Sequence, residues 1–415
     1  MSQVSTDPVD PATPGLSARP APAWSAWRAV VGFGMVSLAA DMVYEGARSV
    51  TGPLLGALGA SALVVGLVTG AGEGMSLLLR LAFGPLADRT GRYWSLTLSG
   101  YALTAVCVPL LAVAPFLGGA GLAVAAALIL AERAGKAVRS PAKSALLAQA
   151  AGAVGRGRGF AVHKALDQLG AFAGPLLVAA VIAATGLVWP ALAGLAIPGA
   201  AAIGLLLWIR RRVPDPAVFD TGTPPAAPAL AGSDTGTPPA APAPATTAPP
   251  TPRSGWFGAD LPRRFFLFAA AAGAATAGLV TFGIISFHAS QTGVLAAAAI
   301  PLLYAAAMVA AAMAALASGY LYDRWHARVL FALPVLGAAV PALALSTTAG
   351  AIVAGTLLWG PPSECRTRPS RRSWPTWFPP PAGPPPTASS PPSRALRHWP
   401  AEAWPGPCTP ARCPS

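Results

Sequence analysis

Gly84-Pro85-Leu86-Ala87-Asp88-Arg89-Thr90-Gly91-Arg92-Tyr93 is a polar stretch set between two apolar ones, 61–83 and 94–115. A related stretch, Gly319-Tyr320-Leu321-Tyr322-Asp323-Arg324-Trp325-His326-Ala327-Arg328, lies between the apolar blocks 292–318 and 327–347. Its Gly, Leu, Asp and Arg align with the first copy without a gap. Working outward from the first copy, further apolar blocks run over 25–47, 118–139, 159–185 and 187–209; around the second lie 264–288 and a shorter block, 349–360. A full block has about 20 residues, the length a helix needs to cross a bilayer. The chain is 54% apolar and only 10% charged, against about 25% charged in an ordinary soluble domain. A soluble domain is therefore excluded, and the sequence predicts an all-α, polytopic transmembrane bundle.

The basic residues sit in the connections. Those after even-numbered blocks hold Arg89 and Arg92; Lys143, Arg156 and Arg158; Arg210, Arg211, Arg212, Arg253, Arg263 and Arg264; then Arg324 and Arg328. Those after odd-numbered blocks hold none, apart from Arg48 at the edge of the first. This asymmetry places the N-terminus and all even connections in the cytoplasm of a cell-membrane protein. It also accounts for the net charge of +13 without nucleic acid, whose binding needs a basic patch on a folded face. Residues 1–24 lack the basic start and cleavage site of a signal peptide and are expected to be a disordered cytoplasmic leader. Residues 213–261 repeat Asp-Thr-Gly-Thr-Pro-Pro-Ala-Ala-Pro-Ala from Asp220 and again from Asp234. Such sequence buries too little apolar surface to offset chain entropy, which predicts a mobile cytoplasmic linker. The four cysteines give neither a disulfide framework nor metal-ligand spacing, so no metal or cofactor is expected.

A short polar segment recurring at matching places in two series of spans resembles the major facilitator superfamily, whose signature loop reads Gly-x-x-x-Asp-Arg-x-Gly-Arg-Arg/Lys. The first copy departs from it only at Tyr93; the second has His326 and Ala327 where the second Gly and Arg belong. The resemblance implies two pseudo-symmetric six-helix halves, residues 25–212 and 262–360, the second incomplete, with inverted repeats inside each. It also implies that Gly84, Asp88, Arg89, Gly91, Arg92, Asp323 and Arg324 form gating loops that control which side opens. Read physically, Gly84 lets helix ends approach and Asp88 accepts hydrogen bonds from a helix N-terminus or an Arg. Gly170, Gly174 and Pro175 resemble part of the family's antiporter motif without its further Gly pair, and small residues four apart also serve helix packing. Arg133 matches the intramembrane Arg of a second antiporter motif, with Lys136 and Ala137 in place of its Gln and Gly.

Ionisable groups inside spans are expensive and face a bundle interior or a water-filled cavity. Asp41, Glu45 and Arg48 share one face of the first span, and Glu73 and Arg80 lie seven apart on the second. Glu132, Lys136 and Arg139 share a face of the fourth span beside Arg133; His163 and Asp167 are four apart on the fifth, with Lys164 on the adjacent strip. Asp41, Glu45, Glu73, Arg133, His163 and Asp167 are the candidates for a transport cavity or proton coupling. Structural ion pairing is the competing role for the deep ones, and a plain helix-end position for His163. Arg80, Arg139 and Lys164 are expected to snorkel toward headgroups, and Arg48 to sit at the outer edge. Spans 7 to 9 carry only His288 away from the connections and are expected to form a low-polarity wall.

Residues 361–415 differ in kind, with 17 of the 46 prolines, a density that excludes a membrane helix. Trp374-Pro375-Thr376-Trp377-Phe378 is encoded by TGG CCN ACN TGG TTY. One base earlier this reads NTG GCC NAC NTG GTT, which restores Leu/Met/Val, Ala, one polar residue, Leu/Met/Val and Val. A shifted frame after about residue 360 is expected, and with it an unstable, inactive product; a native Pro-rich tail is the alternative. The function implied by the resemblance is secondary transport of a small solute, with no enzymatic step. Proton-coupled efflux by antiport fits the partial motifs, with the lipid bilayer as surroundings and a monomer as the working unit. Proton-coupled uptake and a non-transporting interaction protein are the alternatives.

Overall fold

The structure, a computed structural model, describes residues 24–219, 280–325 and 332–367. Their regular structure is entirely helical. The first half comprises α1 (Ala26–Ala57), α2 (Ala62–Thr90), α3 (Tyr93–Leu110), α4 (Gly121–Ala150), α5 (Arg156–Thr185), α6 (Val188–Gly194) and α7 (Ala196–Arg212). The second comprises α8 (Phe282–Gln291), α9 (Ala299–Trp325), α10 (Ala332–Ala344) and α11 (Ala349–Thr367). Short 3₁₀ turns at Leu111–Phe116 and Gly118–Ala120 carry α3 into α4. The leader to residue 23, linker residues 220–261, the starts of the seventh and ninth blocks, His326 to Arg328 and the tail from residue 368 lie outside the described residues.

Local chemistry sets the helix boundaries. The hydroxyls of Ser25 and Ser61 accept from the N–H groups of Arg28 and Val64, each at 3.4 Å, and so cap α1 and α2. Gly91 and Gly186 end α2 and α5 in the left-handed conformation, with φ of 62° and 72°, which only glycine adopts freely. Among the described residues five helices or helix pairs, Ala26–Ala57, Ala62–Thr90, Tyr93–Phe116, Arg156–Thr185 and Val188–Arg212, are long and apolar enough to cross a membrane. The 30-residue α4 is as long, but Glu132, Arg133, Lys136, Arg139 and Lys143 lower its apolarity, and it buries several of them inside the bundle.

The first half is layered along the helix axes. One apolar cluster joins Val43 to Val65 with Val108, Ile129, Val178 and Leu192. A second joins Ala26 to Ala40 with Tyr101, Leu146, Leu147 and Leu206, at the end that carries Arg89, Arg156 and Arg210. We call these the neutral end and the basic end. The intramembrane charges occupy the belt between them. The described residues of the second half form a core in which the rings of Phe282, Tyr304 and Trp359 meet, with centroids 4.4 Å apart for Phe282–Tyr304 and 5.6 Å for Phe282–Trp359.

Three expectations are corrected. The Gly84 to Tyr93 segment is not a loop: α2 continues to Thr90 and only Gly91 and Arg92 connect it to α3, because Gly84 to Thr90 keep their backbone bonds and Pro85 is tolerated within the helix. The linker does not begin at residue 213, since Val213, Pro216 and Phe219 are buried against the basic end and Trp94 donates to the Pro214 carbonyl at 2.9 Å. Finally, α11 does not stop at residue 360. It runs 19 residues, although its apolar part is confined to Ala349–Gly360.

Candidate functional site

Two polar clusters fill the belt. In the first, α1, α2 and α4 meet through Glu73. Its carboxylate accepts from Arg48 at 3.0 Å and lies 3.3 Å from Arg133. Arg48 also stands 3.8 Å from Glu45, and Arg133 3.8 Å from Glu132. Thr104 of α3 donates to Glu132 at 3.3 Å and accepts from Arg139, whose guanidinium covers the Tyr101 ring at 4.5 Å. Arg133 lies over Tyr44 at 4.7 Å, and the Lys136 ammonium meets the same ring at 3.3 Å. Ring faces are negative, so they hold cations where water is scarce.

The second cluster lies toward the basic end. Lys143 donates to Ser37 at 3.1 Å, Ser37 donates to Asp167 at 2.8 Å, and Lys164 donates to Asp167 at 2.6 Å. Asp41 of α1 stands within hydrogen-bonding reach of Asp167 of α5. Two carboxyl groups that lie side by side can hold one proton between them. His163, one turn before Asp167, is 6% exposed and its Nδ1 has no hydrogen-bond partner.

The halves touch through this belt and above it. The Tyr304 hydroxyl of α9 donates to Glu45, and Arg48 lies 5.8 Å from the Trp359 ring of α11. Nearer the neutral end the Thr69 and Thr281 hydroxyls share a hydrogen bond of 2.8 Å. There α1 crosses α8 backbone to backbone: a Cβ on Gly52 would strike the Gly283 carbonyl and the Ser286 hydroxyl.

Several residues sit elsewhere than expected. Arg48 belongs to the Glu73 network and not to an outer edge. Arg139, 4% exposed, is held by Thr104 and does not snorkel. Lys143 is inside α4 and bonded to Ser37, not in a connection. In the first motif copy Asp88, Arg89, Gly91 and Arg92 are exposed at the basic end, where Tyr93 reaches Asp88 at 3.4 Å. Gly84 does not bring helices together, since a Cβ there would meet nothing within 4 Å; Gly91 is the glycine with a conformational reason. Asp323 and Arg324 share the last turn of α9, with Arg324 exposed. Gly170 and Gly174 press α5 onto the α1 backbone, where a Cβ would strike the carbonyls of Leu38 and Met42, and Pro175 is buried beside them. This close approach lets Asp41 and Asp167 meet. Sequence reading missed Ser37, Tyr44, Thr104, Tyr304 and Trp359. A tyrosine or threonine facing a charge gives no hydropathy signal, though Tyr44 immediately before Glu45 could have drawn notice.

Residues 22–361 match the sequence profile of the Major Facilitator Superfamily. The chain belongs to this superfamily. Proteins of Mycobacterium bovis and Mycobacterium tuberculosis, both described as uncharacterized, are 51% identical to it over 340 residues, 82% of this chain and 76% of theirs. Among solved structures, a bacterial homologue of the human lysosomal transporter Spinster in an inward-facing, unoccupied conformation aligns with TM-score 0.54 and 14% identity. The alignment covers 82% of this chain and 73% of that one. The same homologue in its occupied conformation gives 0.52. At that identity the likeness concerns the fold, the superfamily's multi-pass membrane bundle. Superfamily membership makes the chain a membrane transporter working by alternating access, with a small-molecule substrate held within the membrane.

Proposed function

We propose that the protein with its C-terminal reading frame restored exports a small solute across the cell membrane in exchange for protons, with its N-terminus and central linker in the cytoplasm. The observation that carries this reading is the meeting of Asp41 and Asp167 between α1 and α5, bordered by Lys143, Lys164 and Ser37. Exchange requires that proton and substrate occupy the belt in turn, and the acid pair supplies a group whose protonation can alternate with substrate binding. The positive-inside distribution supports the orientation, and the contacts near the neutral end support a state closed to the outside.

The test is transport in inverted membrane vesicles with an imposed pH gradient, followed by a pH-sensitive dye while candidate solutes are added. Export by exchange predicts that a transported solute collapses the gradient as it enters these vesicles. A solute that moves out of the vesicles with protons would replace this reading by uptake. We also propose that residues 361–415 are read in a shifted frame. The superfamily match ends at residue 361, where the composition changes. The nucleotide sequence over codons 355–370 decides it: an alternative open frame with two further apolar spans is expected, and none would make the tail native.

A further inference from the structure

The belt of α1 to α5 contains seven cations, Arg48, Arg80, Arg133, Lys136, Arg139, Lys143 and Lys164, but five carboxyl groups, Asp41, Glu45, Glu73, Glu132 and Asp167. The surplus is not spread evenly. Arg48, Arg133 and Lys164 each lie beside a carboxylate. Among the described residues, no carboxylate oxygen comes within 4.0 Å of Lys136, Arg139 or Lys143, which are held by the Tyr44 ring, by Thr104 with the Tyr101 ring, and by Ser37. Arg80 stands near Arg139, and its buried Nε has no partner.

Spacings of three and four place Lys136, Arg139 and Lys143 on one face of α4. Arg139 is enclosed, whereas Lys136 and Lys143 are half-buried and reachable. They stand two turns apart, about 10 Å along the helix. Positive charge without a counter-charge is costly at this depth. A neutral ring lessens that cost for Lys136 and leaves its other ammonium hydrogens undirected. A ligand carboxylate or phosphate would accept the charge-assisted hydrogen bonds that no protein acid receives. The neighbouring rings and the apolar second half suit an aromatic or aliphatic body.

We infer that the substrate is an organic anion, its acidic group bound by Lys136 and Lys143 of α4 and its apolar body laid against the aromatic side chains of the belt. This deepens the transport reading and rests on it for the word substrate. The binding itself is an equilibrium property and is measured without transport.

The experiment uses the full chain in phosphatidylcholine nanodiscs and three probes of one shape: 2-naphthoate, 2-naphthylmethanol and 2-naphthylmethylammonium. The naphthoate is expected to bind at least about tenfold tighter than the other two, with a preference that shrinks as sodium chloride rises. Lys136→Gln should weaken naphthoate about tenfold and leave the alcohol unchanged, Lys136→Arg should retain the preference, and Lys136→Gln with Lys143→Gln should erase it. Equal binding of the three probes, tighter binding of the ammonium, no binding of any, or an anion preference that survives the double substitution overturns the proposal. If Lys136→Gln fails to fold, Lys143→Gln alone must reduce the preference or the proposal fails. Adding phosphatidylglycerol to the nanodiscs separates the sources of the anion: an unchanged naphthoate affinity assigns the site to a solute, and competition assigns it to a lipid headgroup. Anion binding with no transport in vesicles would sink the export reading and leave this one standing.

Discussion

The two halves of the molecule solve the same packing problem with opposite chemistry. Residues 24–219 place charged groups between two apolar layers and fasten them through Glu73, Thr104 and Asp167. The described residues of the second half fill the same depth with Phe282, Tyr304 and Trp359. A charged network is specific in geometry and responds to protons and ions. A core of neutral rings carries no net charge to give such a response. Under the proposed function, the first half would bind and sense while the second is the surface it moves against.

The largest effect expected is from Glu73→Gln, which leaves Arg48 and Arg133 without their shared carboxylate. Breaking a buried ion pair costs about 3–5 kcal/mol. Glu73 is 25% exposed, so a loss near the lower figure is expected in thermal unfolding of the purified protein. Trp359→Phe, in the opposing core, should cost clearly less; the reverse order would break the contrast between the halves.

Next comes Asp41→Asn in a frame-restored protein, expected to abolish proton-driven transport while leaving expression and purified yield unchanged. Normal transport with the parent's pH dependence would remove Asp41 from the mechanism. A loss of yield would assign it to structure alone.

A smaller effect should follow Tyr304→Phe, which removes the hydroxyl that α9 donates to Glu45. A hydrogen bond to a charged group contributes about 1.5 kcal/mol or more, roughly tenfold in an equilibrium. Ser286, buried beneath Gly52, supplies the reporter: in a background without other cysteines, Ser286→Cys should react with a membrane-impermeant maleimide about tenfold faster once Tyr304 is Phe. An unchanged rate would show that the halves are not latched there.

The smallest difference is between the motif copies. Asp88→Ala should slow transport several-fold with little change in substrate affinity, and Asp323→Ala less, because the second copy lacks the helix-ending Gly and the following Arg. Equal damage would overturn that ranking.

The bundle and its family were legible because both rest on periodic properties: block length, the side on which arginines fall, and a motif that occurs twice. The site was legible only in part. Asp41, Glu45, Glu73, Arg133 and Asp167 were visible because a charge in an apolar block stands out. Which of them meet was not, since that depends on how closely α1 and α5 approach, and the glycines at 170 and 174 announce contact without naming the partner face. Lys143 was lost to a connection because hydropathy falls where a helix turns polar, although its backbone continues unbroken to Ala150. Tyr304 was lost because its hydroxyl is silent in an apolar run and acquires meaning only from Glu45, 259 residues away.

The crossing of Gly52 over Gly283 has a bearing on the energy economy of the cell. A membrane that stores a proton gradient is discharged by any continuous thread of water through a protein. Where two helices meet through side chains, rotamer changes open such threads transiently. Here main chain lies on main chain with only the short Ser286 side chain beside it, so few rotamers can change. The crossing is expected to act as electrical insulation. A bulkier residue at position 52 should show itself first as a slow acidification of resting cells, before any defect in transport is measurable.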